Sequence, residues 1–115
     1  MTLSECIDKF NYLKPHAFDN ETLAGWIMDV DKRVYSEIIL THEGAEEGLS
    51  SSDELLLPDE YSDIYLHYLG AQTEFFGMDT AGYLNSMLMF NELFSAYADN
   101  YNRTHIPKGR EVTFL

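Results

Sequence analysis

The sequence has few of the features that would crosslink a chain covalently or anchor it in a membrane. Cys6 is the one cysteine among the 115 residues, so no disulfide can form within the chain. No apolar run approaches the roughly 20 residues that cross a bilayer, and the first residues lack the basic and apolar blocks of a secretory signal. We therefore expect a protein that is made and kept in the cytosol and has no membrane contact.

Basic residues are also scarce. The chain has seven lysines and arginines and twenty aspartates and glutamates, which gives a formal net charge of -13 at pH 7. Nonspecific binding to nucleic acid depends on neutralising phosphates and releasing counterions, so this charge argues against it. Many acids lie between Glu43 and Asp63, where residues 44–52 lack apolar periodicity and predict an acidic loop.

Catalytic and metal-binding motifs are missing from the sequence. The four histidines are widely separated, and none belongs to a His-x-x-x-His or Glu-x-x-His pair. Asp29 and Asp31 resemble the start of a calcium loop but fall within a helical apolar pattern. Asp79, which Thr80 follows, resembles part of an aspartic protease motif, yet its helical surroundings favour a helix N-cap. We predict no enzymatic activity, no catalytic or metal-binding residues and no cofactor.

Apolar residues at helical spacing predict two helices in the first 42 residues. Thr2 and Glu5 form a capping-box pattern that opens a short first helix, which Pro15 ends. Asp19 or Asn20 can cap a longer second helix that extends to residue 41 or 42. The acidic loop would then separate this pair from the rest of the chain.

Two further helices are predicted after the acidic loop. Pro58 suits the first turn of the third helix, while Gly77 and Asp79 are typical of a stop and a new cap before the fourth. The predicted fold class is all-α: a small bundle of about four helices, a short first one and three longer ones, with an acidic loop between the second and third. Residues 1–106 would form the helical domain and residues 107–115 an extended C-terminal tail.

The fourth helix carries large apolar residues at alternating spacings of four and three, which is a heptad seam. The seam residues are Tyr83, Met87, Phe90, Phe94, Tyr97 and Tyr101. A second apolar stripe, which includes Leu84 and Leu88, lies off the seam, so the helix is either central or oligomeric. Tyrosines can also stack nucleic-acid bases, but stacking needs a cationic groove that this acidic chain lacks. We therefore predict that the seam is a protein interface.

The predicted tail differs in character from the helices. Lys108 and Arg110 lie in a loop-like stretch, whereas Val112 and Phe114 prefer extended backbone. Such a segment can add itself as a strand to another chain or fill a groove there, and a frayed end is the equal alternative. We include these four tail residues in the predicted interface.

The organisation resembles the small head-tail connector (adaptor) proteins of tailed bacteriophages and prophages. The similarity lies in "TLSECIDKFNYLK" and "DNETLAGWIMDVDKRVYSEI" for the first two helices, and in "PDEYSDIYLHYLGAQTEF", "YLNSMLMFNELFSAYADNYNRTH" and "IPKG" for the third, the fourth and the exit. It spans nearly the whole chain, but the acidic insert between the second and third helices matches least well.

The resemblance implies a structural virion protein that is assembled in the bacterial host cytoplasm. Its subunits would form a ring oligomer, dock on the portal protein, and offer a platform to the next connector or tail component. The ring would extend the channel toward the tail, and DNA would pass through it without specific binding. The alternative function, which the small size and the charge suggest, is an acidic DNA mimic that inhibits a host DNA-binding protein.

Overall fold

A computed structural model describes residues 1–41 and 54–105, and they fold as an all-α bundle. The four helices are α1 (Leu3–Leu13), α2 (Asn20–Glu37), α3 (Asp63–Phe76) and α4 (Thr80–Thr104). No strand occurs among the described residues, although Thr2 and Glu54 form an isolated antiparallel bridge. The predicted fold class is confirmed for this part of the chain. The acidic loop at 44–52 and the tail at 107–115 lie outside the described residues.

The predicted starts of the first two helices are correct. The Glu5 N–H donates to the Thr2 hydroxyl oxygen at 3.2 Å, and the Thr2 N–H donates to the Glu5 carboxylate at 3.0 Å, which completes the capping box. The Asp19 carboxylate caps α2 by accepting the Thr22 N–H at 2.8 Å. α1 ends at Leu13, just before the predicted proline stop.

Two helix boundaries differ from the sequence-based expectation. Pro58 does not lie in the first turn of α3 but precedes a separate 3-10 turn, Asp59–Tyr61. Both the backbone N–H and the hydroxyl of Ser62 donate to the Asp59 carbonyl, which closes this turn before α3 begins. At the other side of the gap, α2 is followed by a 3-10 turn at Ile39–Thr41, so its last predicted turn is tighter than an α-helix.

All four helices and the segment before α3 contribute to a single core. α3 packs mainly on α4 and also against α2, while α1 contacts both α2 and α3. The buried apolar residues of this core are Cys6, Ile7, Phe10, Leu23, Ile27, Val30, Val34, Ile38, Leu55, Leu57, Ile64, Tyr65, Leu69, Phe90, Phe94 and Tyr97. The α3–α4 pair therefore leaves its connecting corner, residues 77–79, at one end of the bundle.

A buried carboxylate links α2 to the segment that leads into α3. Asp31, which is 2% exposed, accepts hydrogen bonds from the Tyr65 hydroxyl and from the Leu56 N–H at 3.1 Å. The Leu57 N–H donates to the Tyr65 oxygen at 3.0 Å, so the ring hydroxyl both donates and accepts. Burial raises the pKa of Asp31 above its ordinary range, although both hydrogen bonds to it act in the opposite direction.

Cys6 lies in the core on α1 with no exposed surface and no disulfide partner. Burial, together with the nearby Asp31 charge, raises the pKa of its thiol to about 12. The thiol is therefore protonated at neutral pH and acts as a small apolar group.

None of the helices among the described residues has the length and apolarity that a membrane span requires.

Candidate docking surface at the α3–α4 corner

The middle and end of the predicted seam face the chain's own core. Phe90 has no exposed surface, and Phe94 and Tyr97 are also buried. The Arg33 guanidinium of α2 lies 4.9 Å from the ring centroid of Phe94 and 5.4 Å from that of Phe90, within the range of cation–π attraction. The ring of Tyr61 meets that of Tyr97 edge to face at 5.0 Å. These three seam residues are thus covered within the chain and are not available to a partner in this conformation.

The other predicted interface residues are only partly available. Met87 and Tyr101 are half-buried and pack against the core, and the Tyr101 ring also stacks on His105 with centroids 3.7 Å apart. Tyr83, also half-buried, borders an open groove at the corner. The predicted tail residues lie outside the described residues: Lys108, Arg110, Val112 and Phe114. Of the predicted set, only Tyr83 lies at the surface feature that emerges from the fold.

Exposed apolar side chains concentrate at the α3–α4 corner. Nine large apolar residues are exposed in the described part of the chain, and five of them form what we call the corner patch: Phe75, Phe76, Met78, Leu84 and Leu88. Each of the five exposes more than half of its surface. A cluster of exposed apolar residues on an otherwise polar surface is typical of a protein-binding site.

The backbone of the corner presents Met78 to solvent in an unusual conformation. The Asp79 N–H donates to the Glu74 carbonyl at 2.9 Å and the Met78 N–H to the Phe75 carbonyl at 3.1 Å, which is the Schellman pattern that ends a helix. Met78, with a φ of 61°, occupies the left-handed position of this pattern. Gly77, the residue predicted to end the helix, does not occupy it. Met78 is 89% exposed, so no packing within the described chain offsets its backbone strain.

Replacement of Met78 by glycine is expected to raise the free energy of unfolding by up to about 1 kcal/mol. A left-handed backbone costs a residue with a side chain roughly 1–2 kcal/mol, and the greater flexibility of glycine in the unfolded chain cancels part of that gain. Urea denaturation followed by circular dichroism measures the change. A loss of stability would mean that the Met78 side chain packs within its own chain.

An apolar groove of about 460 Å³ lies beside the corner. It is lined by Phe75, Met78, Asp79, Thr80, Tyr83 and Leu84. The Phe75 and Tyr83 rings in this lining lie 5.4 Å apart. Asp79, the charged residue in this lining, also caps α4 by accepting the Gly82 N–H at 3.0 Å. The groove therefore offers apolar walls with a carboxylate at the rim.

Polar and aromatic contacts fix the position of the corner. The Lys14 ammonium at the end of α1 donates to the Glu74 carboxylate at 2.7 Å, and the Ser86 hydroxyl of α4 donates to the same oxygen at 2.9 Å. The Phe76 ring stacks on Trp26 of α2 with centroids 5.9 Å apart. These contacts attach the corner to α1 and α2 and join α3 to α4, so the position of the patch is fixed within the chain.

Gly82 at the start of α4 leaves room for two carboxylates. A Cβ atom at this position would lie 2.4 Å from carboxylate oxygens of Asp79 and Glu74, so a larger residue would displace these side chains from the α4 backbone. A second groove, of about 430 Å³, lies on the α1 side of the corner and is lined in part by Lys14, His16 and Phe76. The corner patch is thus bordered by a concave surface on each side.

The described residues contain no group of three His, Cys, Asp or Glu side chains that could hold a metal ion. Comparisons with protein-family models, with curated proteins and with solved structures found no match to this chain. The corner patch and its grooves have a defined geometry. What that geometry offers is apolar surface at a fixed position, which is suited to binding another polypeptide.

Proposed function

We propose that this chain is a structural subunit of a phage or prophage virion, a ring-forming head-tail connector (adaptor) that docks on the portal protein and extends the DNA channel toward the tail. The observation that carries the proposal is the corner patch of a strongly acidic chain: five exposed apolar side chains, three of which line the groove. An assembly subunit needs such a surface, and the resemblance of the helix sequences to connectors supplies the kind of assembly.

The size of the patch favours repeated contacts over a single pairing. Full burial of one large apolar side chain contributes about 1.5–3 kcal/mol, so five partly exposed ones contribute on the order of 10 kcal/mol. Association costs roughly 4–15 kcal/mol in lost translational and rotational freedom. One contact through the corner is therefore weak, whereas a closed ring gives each subunit two contacts.

The charge of the chain suits a channel that DNA passes through. A formal charge of -13 per subunit repels phosphates at short range, because charge repulsion persists over a Debye length of about 8 Å at physiological salt. Duplex DNA would then move past the ring without adhering to it. The same charge also favours the second candidate function, an acidic DNA mimic that blocks a host DNA-binding protein.

Electron microscopy with the portal protein encoded in the same genome tests the connector function. The expected result is a stacked annulus on the portal ring. Leu84→Ser combined with Leu88→Ser should remove that annulus, because it makes the exposed side of α4 polar. Leu40→Ser is the matched control, since Leu40 is also exposed but lies after α2, away from the corner. This control should assemble as the unchanged protein does.

Two outcomes would contradict the proposal. Portal rings without any added density would rule out the connector function. Competition with DNA for a basic host protein, falling steeply as salt is raised, would support the DNA mimic instead. Because the mimic depends on exposed charge, the double serine variant should compete as well as the unchanged chain.

A further inference from the structure

We infer that residues 106–115 of one copy occupy the groove at the α3–α4 corner of a second copy, so that successive copies join head to tail. The inference rests on the proposed assembly function and names the partner of the corner patch. It combines a groove that is open in the described chain with a segment of the same sequence whose chemistry matches that groove.

The segment complements the groove in both apolarity and charge. Its apolar members are Ile106, Val112, Phe114 and Leu115. Lys108 and Arg110 are two of the seven basic residues of the chain, whereas only one of the twenty acidic residues falls in the segment. The segment therefore has a net charge of +1 and the remainder of the chain -14, so the segment is attracted to an acidic neighbour. A basic side chain can face Asp79 at the rim while apolar side chains fill the groove.

Chain length argues against occupation of the groove by the segment of the same copy. Leu84 precedes Thr104, the last residue of α4, by about 30 Å along the helix axis at 1.5 Å per residue. A fully extended chain spans at most about 3.3–3.6 Å per residue, so Val112 lies no more than roughly 29 Å from Thr104. Val112 therefore comes close to Leu84 of its own copy only if the chain after Thr104 is fully extended along α4, and Phe114 only if that chain is nearly straight.

A contact of this kind joins two different surfaces, one from each copy. Every copy then offers one segment and one groove, which is a heterologous interface. Repetition of such a contact closes into a ring when a whole number of equal rotations between neighbouring copies makes one full turn. The inferred contact thus explains how a single chain can have the two distinct lateral surfaces that a ring requires.

Binding of a labelled peptide tests the contact directly. The peptide IPKGREVTFL, residues 106–115, is titrated with the full chain whose own segment carries Val112→Ser and Phe114→Ser, and fluorescence anisotropy is measured. Saturable binding is expected. Leu84→Ser in the acceptor should weaken it about tenfold, and Met78→Gly should also weaken it while leaving the chain folded. The matched control Leu40→Ser should bind as tightly as its parent.

Mixing two defective full-length chains tests the head-to-tail arrangement. The Leu84→Ser chain keeps an intact segment, and the Val112→Ser/Phe114→Ser chain keeps an intact groove. In sedimentation velocity each chain alone should be monomeric, whereas the equimolar mixture should form heterodimers that grow no further. If either chain alone associated with itself as strongly as the two chains associate in the mixture, the inference would be overturned.

Failure of this inference can be distinguished from failure of the proposed function. If the peptide does not bind, or binds the Leu84→Ser chain equally well, the segment does not occupy the corner groove and the inference falls. The connector function would still stand if the corner variants abolished the annulus on the portal. Peptide binding without any portal annulus would keep the contact between copies and remove the connector function.

Discussion

The Asp31→Ala variant is expected to lose about 3 kcal/mol of unfolding free energy at neutral pH. The substitution leaves the Tyr65 hydroxyl and the Leu56 N–H buried without their acceptor, and each unsatisfied buried group costs about 1–3 kcal/mol. Removal of the desolvated carboxylate returns part of this cost, because its burial already raises the pKa of Asp31. Urea denaturation of both proteins measures the difference.

Asp29→Ala serves as the matched control, since Asp29 is exposed on the same helix. Its effect should remain within about 0.5 kcal/mol, as is usual for surface positions. Equal losses in the two variants would show that helix electrostatics, and not the buried hydrogen bonds, account for the effect of Asp31.

The loss caused by Asp31→Ala should also depend on pH in a defined direction. The folded pKa of Asp31 lies above its unfolded value of about 3.9, so the folded chain holds this proton more tightly. The stability that Asp31 contributes through this linkage is fully present below the unfolded pKa and is lost as pH rises through the folded pKa. The deficit of the variant should therefore be larger near pH 4 than near pH 7.5, and the opposite trend would contradict a raised pKa.

Phe90→Ala is expected to reduce the free energy of unfolding by about 4 kcal/mol. The Phe90 ring has no exposed surface and contacts the rings of Tyr68 and Phe94 at centroid distances of 5.3 and 5.6 Å, so truncation leaves a cavity that these neighbours cannot fill. Guanidinium denaturation at several protein concentrations measures the loss. Leu88→Ala, exposed on the same helix, should cost less than about 1 kcal/mol.

The pair of variants on α4 also separates two interpretations of its apolar surface. If Phe90→Ala left the unfolding free energy unchanged and only weakened association, the seam would face another copy and the described packing of α4 would be wrong. If Phe90→Ala destabilises the single chain while Leu88→Ala weakens association, the two stripes of α4 have different functions, one for folding and one for assembly.

The helix ends were predictable because their signals are local. Thr2, Asp19 and Asp79 each accept a hydrogen bond from a backbone N–H three residues later, so a short stretch of sequence contains the whole interaction. The left-handed position after α3 was not predictable in the same way. Gly77 is the residue type that usually occupies it, yet the Schellman hydrogen bonds place Met78 there.

The exposed apolar surface was harder to predict, because it depends on which side of α4 meets the rest of the chain. Both stripes of α4 are apolar at helical spacing, and periodicity alone cannot tell which one packs on α3. The fold buries Phe90 and Phe94 and leaves Leu84 and Leu88 exposed. Likewise, the hydrogen bond between Asp31 and Tyr65 joins residues 34 positions apart, and no local pattern indicates it.

The enclosed sulfur of Cys6 has a practical consequence for studying how this bundle opens. Alkylating reagents attack a thiolate, whereas this sulfur is protonated and unreachable while α1 stays in place. Modification must then wait for α1 to separate from the core, and the sequence contains no second cysteine to confuse the signal. The rate at which Cys6 is alkylated in the native protein thus reports how often the first helix detaches, with no engineered label required.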